Sequence, residues 1–240
     1  MKGQKQYRCT MTSLAASWSI AVHLSLVLGV LLSRDMSVAA QLETEPLILK
    51  LPAPTLKGTP EDLPEGPGIE PLSGKSRPVY LIAKGSKNVA VGKLVTASST
   101  SFTGNLAQLT DGLKEAYDRD VLEMKRGTQW VQIDLGRVCA VQAIVLWHDH
   151  RYIQVRHDVV IQMSNDPEFK EAVITIFNND QDNSSGLGEG AEREYFETSE
   201  GKIVNAKGVA GRYIRCHGRG SSLGALNCWQ EIEVYALPAD

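Results

Sequence analysis

The residues best equipped for chemistry in this 240-residue chain stand together at Trp147-His148-Asp149-His150-Arg151-Tyr152. An aromatic ring beside His and Arg at the end of an apolar run meets the needs of a sugar site. The ring stacks on the apolar face of a pyranose, while Arg and His donate hydrogen bonds to its hydroxyls. The alternative is ordinary packing. Two histidines one residue apart also suggest a metal pair, and on an extended chain they share a face. No acidic partner is evident, so histidines satisfied at a strand end are the simpler expectation.

A second polar stretch, Asp180-Gln181-Asp182-Asn183-Ser184-Ser185-Gly186, alternates oxygen-bearing side chains like the opening of a calcium loop. It lacks the glycine and glutamate that an EF-hand needs further on, and reads as a hydrogen-bonded polar loop. Asn183-Ser184-Ser185 fits a glycosylation acceptor, which matters only in a eukaryotic secretory pathway. Catalytic signatures are missing: neither GxSxG nor HExxH occurs, and the carboxylates are scattered where a glycosidase needs a facing pair. A non-enzyme is expected.

Positioning these residues requires a scaffold, and its pattern is one of short strands and polar turns. Residues 130–135 alternate as a half-buried strand must, Gly136-Arg137 reads as a tight turn, and a second apolar strand runs through Trp147. Entry strands at 88–90 and 94–99 precede this pair, with a turn at Asp111-Gly112 and a charged, loop-like stretch over 113–129. Further strands are expected at 159–163, 173–177, 194–198, 212–216 and 231–236, separated by Gly, Asn and Pro clusters. The pattern predicts an all-β, antiparallel sandwich and not a βαβ fold.

The chain divides into three parts. Residues 1–40 read as an export signal: Lys2, Lys5 and Arg8 precede an apolar core over 20–32, and Ser37-Val38-Ala39-Ala40 supplies the small residues of a cleavage site. The alternative is an uncleaved membrane anchor over 14–32, close to the ~20 residues of a spanning helix. Residues 41–87 hold eight of the ten prolines and read as an extended spacer, with 47–49 and 79–82 apolar enough to dock. Residues 88–240 form the domain. With 25 basic and 28 acidic residues the net charge is −3, and loss of residues 1–40 leaves −6; neither suits a nucleic-acid binder. Of the cysteines, Cys9 lies in the signal and Cys139 reads as a buried apolar residue. Cys216 and Cys228 could pair in an oxidising compartment or stay reduced.

Six motifs in order carry a family likeness: Asn88-Val89-Ala90 with Ala97-Ser98-Ser99; Thr110-Asp111-Gly112; Trp130-Val131-Gln132-Ile133-Asp134-Leu135-Gly136; Val160-Ile161-Gln162-Met163-Ser164-Asn165-Asp166; Gly211-Arg212-Tyr213-Ile214-Arg215; and Glu231-Ile232-Glu233-Val234-Tyr235. Over about 88–237 this succession resembles the discoidin, or coagulation factor V/VIII type C, family, and the insert 177–188 points to a subgroup found in exported bacterial proteins. The resemblance implies a galactose-binding-like jelly-roll fold in which Trp130, Tyr213 and Tyr235 are structural. It also implies a carbohydrate site on loops at one end of the sandwich, matched here by His148, His150, Arg151, Tyr152, Asn227 and Trp229. One structural Ca2+ is implied near Asp111, with carbonyls at Gln108 and Leu113 and the carboxylate of Glu231. Leu113-Lys114 departs from the oxygen-bearing residues expected after Asp111-Gly112, leaving Asp118, Asp120 or Glu123 to complete the set. The expected partner is a glycan or, alternatively, an envelope or extracellular protein; phospholipid binding has only Phe102 in its favour. Membrane attachment is expected only through an uncleaved anchor.

Overall fold

The computed structural model describes residues 42–55, 63–72, 75–117 and 120–237. The export signal and its alternative, the 14–32 anchor, lie outside these residues. Among the described residues no helix is long and apolar enough to cross a membrane.

Among the described residues thirteen strands are connected by turns. They are β1 (Thr44–Pro46), β2 (Leu81–Ala83), β3 (Lys87–Asn88), β4 (Leu94–Ala97), β5 (Leu122–Arg126), β6 (Gln129–Trp147), β7 (Val155–Arg156), β8 (Val160–Ser164), β9 (Ile174–Asn178), β10 (Tyr195–Phe196), β11 (Lys202–Gly218), β12 (Leu226–Trp229) and β13 (Glu231–Ala236). A short 3-10 helix spans Leu106–Thr110. All the strand pairs are antiparallel, and the main sheet runs β3-β13-β6-β11-β8-β9, with β4 also on β6. The all-β antiparallel jelly-roll β-sandwich expected from the sequence is the fold observed.

The strand β6 organises everything else. The turn expected at Gly136-Arg137 does not reverse the chain. Gly136 takes φ +81°, Asp134 Oδ1 accepts its N–H at 2.7 Å, and the strand bends and continues. Both halves therefore pair with the same partner: β11 matches Tyr213 to Asp134 on one side of the irregularity and Gly211 to Cys139 on the other. The bend separates two wings, since β4 pairs only with the first half of β6 and β13 only with the second. Such bulges are how a strand passes between the layers of a sandwich. Arg212 fixes the corner by gripping Asp134 in a fork, Nε to Oδ1 at 2.7 Å and Nη2 to Oδ2 at 2.9 Å.

Between the wings lie Leu109, Leu122, Met124, Ile133, Ile144, Ile161, Ile214, Trp229 and Ile232, all fully buried. Tyr213 is buried as well, whereas Trp130 is only partly so: the Arg215 guanidinium stacks 4.2 Å from its ring centroid. The stretch 113–129 is not loop throughout. Leu122 and Met124 alternate inward, and β5 pairs with β12.

The Pro-rich spacer is not a free tether along its described length. The strands β1 and β2 pair, Glu70 N–H donates to the Glu194 carbonyl at 2.7 Å, and Arg77 Nε meets Glu200 at 3.2 Å. Prolines remove some donors, but the intervening residues keep theirs and find acceptors on the domain. Cys139, Cys216 and Cys228 are free and buried, so the pairing left open for Cys216 and Cys228 is not formed. Burial pushes the Cys216 thiol up to about 12.

Candidate functional site

At the end of β6 the chain leaves the sheet on its way to β7 and carries Asp149, Arg151 and Tyr152 to one side of a cleft of about 480 Å³. Arg151 and Tyr152 line it, with Arg126 and Glu123 from β5 and Gln154 and Arg156 beyond. The Arg151 guanidinium grips Asp149, Nε to Oδ1 at 2.8 Å and Nη2 to Oδ2 at 2.7 Å. Burial works against the Asp149 charge, but the Arg151 hydrogen bonds outweigh it and hold the carboxyl below its ordinary range. The same guanidinium lies 5.6 Å from the centre of the Tyr152 ring, and Tyr152 remains 41% exposed. Ring and fork are thus fixed relative to each other while the ring keeps open surface.

The floor of the cleft is polar and rigid. Arg156 is buried, with Nη1 donating to Gln154 Oε1 at 3.3 Å and to Cys228 Sγ at 3.4 Å, while its Nε has no acceptor. Gln154 Nε2 in turn donates to the Asp149 carbonyl. Two links of the floor were within reach of the sequence: in an extended segment Tyr152, Gln154 and Arg156 share a face. Arg126, and the cleft-facing place of Glu123, follow only from β5, a strand hidden in the charged stretch 113–129.

Four of the six expected ligand residues do not reach the cleft, and burial is the reason. Trp229 is at 0% exposure, so neither face of its ring is open to a sugar; it belongs to the core. Asn227 is equally sealed and works as a clamp, donating to the carbonyls of Lys125 and Gly127 at 2.8 Å each and accepting from Gly220 N–H at 3.0 Å. His148 lies beneath, its Nδ1 2.8 Å from Glu197 Oε2. Burial, reinforced by Arg156, depresses its pKa against the pull of Glu197, so the ring is held neutral. His150 is buried with Nε2 2.8 Å from the Lys114 carbonyl. The two histidines therefore support the loop from within, and the acidic partner of His148 comes from a distant segment.

The cation expected at the Asp111 turn meets a donor set that does not suit it. Gln108 closes a capping box, its Oε1 accepting Asn105 N–H at 2.5 Å, and Asp111 Oδ1 is turned onto Leu113 N–H at 2.8 Å. The ligand expected at Leu113 is its carbonyl, since its side chain offers no oxygen. Glu231 Oε1 accepts Gly112 N–H at 3.1 Å, its Oε2 has no partner, and burial pushes its carboxyl up to about 8. A hard divalent ion needs six to eight oxygens, several of them charged. Here one oxygen of each carboxylate is engaged by a backbone N–H, and the turn supplies no further charged side-chain oxygen at Leu113-Lys114.

The second acidic place, Asp158, Asp180 and Asp182, brings carboxylate oxygens within 4.8 Å of one another. Local donors answer them: Ser184 Oγ donates to Asp158 at 2.7 Å, Ser185 N–H to Asp180 at 2.8 Å, and Ser184 N–H to Asp182 at 2.9 Å. This is the hydrogen-bonded polar loop expected from its composition, with a geometry that could also hold an ion.

No protein-family model matches the chain, and no curated protein matches it. Among solved structures, chitosan-binding module 1 of a chitosanase/glucanase from Paenibacillus sp. IK-5 is similar at 21% identity and TM-score 0.41, over 62% of this chain and 99% of that one. A fucose-binding module of Streptococcus pneumoniae is similar at 16% identity and TM-score 0.44, over 63% and 99%. The glycoside hydrolase CpGH89 of Clostridium perfringens is similar at 17% identity and TM-score 0.47, over 64% of this chain but 16% of the enzyme.

Proposed function

We propose that the chain is an exported, non-catalytic module that binds a carbohydrate through loops at one end of the sandwich. The observation that carries this reading is the open Tyr152 ring, held beside the Arg151–Asp149 fork on the wall of a polar cleft. A pyranose stacks on the ring, and its hydroxyls find donors in Arg126 and in the polar floor. One ring and a few hydrogen bonds give weak binding at a single site.

Catalysis is disfavoured by how the acids are used. The cleft offers Glu123 and Asp149, and both oxygens of Asp149 are taken by Arg151. A glycosidase needs two carboxylates free to act across a sugar. Export is supported by the basic start, apolar core and small-residue site within residues 1–40, in keeping with an exported bacterial subgroup.

The test is a glycan array probed with the full chain and with Tyr152→Ala. The variant should lose about tenfold in affinity for whatever the wild type binds, equivalent to roughly 1.4 kcal/mol. Absence of any glycan signal, or binding indifferent to Tyr152→Ala and Arg126→Ala together, sinks the reading.

A further inference from the structure

The loop that fails to suit calcium already contains a positive charge. Lys114 is 4% exposed, and its Nζ stands 2.6 Å from Glu233 Oε1 and 3.5 Å from the Gly112 carbonyl. The ammonium also lies 5.1 Å from the centre of the Trp147 ring. Around it, Glu231 and Glu233 project from the same face of β13, as alternate residues of a strand do, and Glu231 reaches back to Gly112 N–H at 3.1 Å. Glu233 is itself anchored, accepting the Tyr235 hydroxyl at 2.9 Å. A carbonyl, the Glu233 carboxylate and an aromatic face thus receive a lysine side chain from within the loop where it meets the last strand, with Glu231 beside them on the same strand face.

We propose that the Lys114 ammonium is the resident cation of this junction, supplying the positive charge that a divalent ion would otherwise bring and fixing the loop without calcium. The substitution is chemically coherent. An ammonium is a compact charge with three donors, and Glu233, the Gly112 carbonyl and the Trp147 face receive it. A calcium ion held by Glu231 and the turn would stand close to this buried positive charge, which lies on Glu233 and the Gly112 carbonyl. The departure at Leu113-Lys114, which removes a side-chain oxygen from the turn, is on this view the change that installs the replacement. The effect extends outward, because the Lys114 carbonyl meets His150 at 2.8 Å and Glu115 O accepts from Gln230 at 3.2 Å. The loop fixed by Lys114 is thus tied to the segment that carries Arg151 and Tyr152.

The test is thermal melting of the full chain in excess chelator and then in excess calcium. It is run in the wild type and in Asp182→Asn, which disables the other acidic loop. In the Asp182→Asn background the melting temperature should be the same in both solutions; a calcium-dependent rise there overturns the proposal. Added to that background, Lys114→Asn removes the ammonium and returns an oxygen to the turn. It should melt several degrees lower in chelator and recover most of the loss with calcium. A Lys114→Asn variant that melts like its parent in chelator, or that calcium does not rescue, also overturns it. Should Lys114→Asn fail to fold, the result in the Asp182→Asn parent still decides.

Discussion

Tyr152 and Trp229 are both aromatic residues close in sequence to polar groups that can bind a sugar, and the fold treats them oppositely. Tyr152 sits in the bend between β6 and β7, 41% exposed and braced by Arg151. Trp229 ends β12, which pairs with β5, and is sealed at 0%. Asn227 follows Trp229 inward, spending all three of its hydrogen bonds on the backbone of Lys125, Gly127 and Gly220. The difference teaches that suitable side chains are not enough to make a site. Where the sheet ends the ring keeps open surface, and the same chemistry within the paired strands becomes support.

The strongest way to break this contrast is to truncate both rings. Trp229→Ala removes a large core side chain and should cost about 3–5 kcal/mol of stability, measured by urea unfolding with the slope checked for two-state behaviour. A loss below about 1 kcal/mol would mean that Trp229 is not core. Acid sharpens the comparison next, because buried histidines are part of the inner rank. Burial and the neighbouring Arg215 charge push His217 down to about 4, from an ordinary value of 6.5. Above pH 6.5 folded and unfolded chains both carry it neutral. Below that the unfolded chain takes up the proton first, so stability falls with pH until the folded pKa is passed. The total from this group is about 3 kcal/mol, and His148 adds in the same direction. His217→Gln should flatten the decline; a profile unchanged by it would remove His217 as the cause. The smallest stability effect is expected at Tyr152→Ala, within about 1 kcal/mol of wild type, with its loss confined to binding. If it unfolds the protein as Trp229→Ala does, the distinction between wall and core fails.

How much could be read in advance follows the range of the forces involved. The strand β13 was legible to the residue, because Glu231–Ala236 alternates and ends in a clear break. Gly136-Arg137 reads from the sequence as a tight turn, whereas Gly136, at φ +81°, only bends the strand. Whether such a residue turns or merely bends a strand depends on where β11 pairs, and that information lies far along the chain. Leu122 and Met124 were hidden by the charges between and around them, although their two-residue spacing was present. At the site, Arg151 and Tyr152 were recognisable by chemistry. The burial of Trp229, His148 and Asn227 was not, since long-range pairing decides it. The Lys114 departure was visible as an anomaly, but only the placement of Glu233 gives it a meaning.

The short pairing of β3 with β13, which sets Asn88 beside Tyr235, closes nearly the whole domain into a ring of chain with a seam two residues wide. Closing so long a ring is entropically costly, and the cost rises only slowly with length. The seam therefore forms late in folding and is among the first places to open. Joining the two ends directly and cutting instead in the exposed Gly186–Gly188 stretch would replace a distant closure with a local one. The same sandwich would then assemble in a different order.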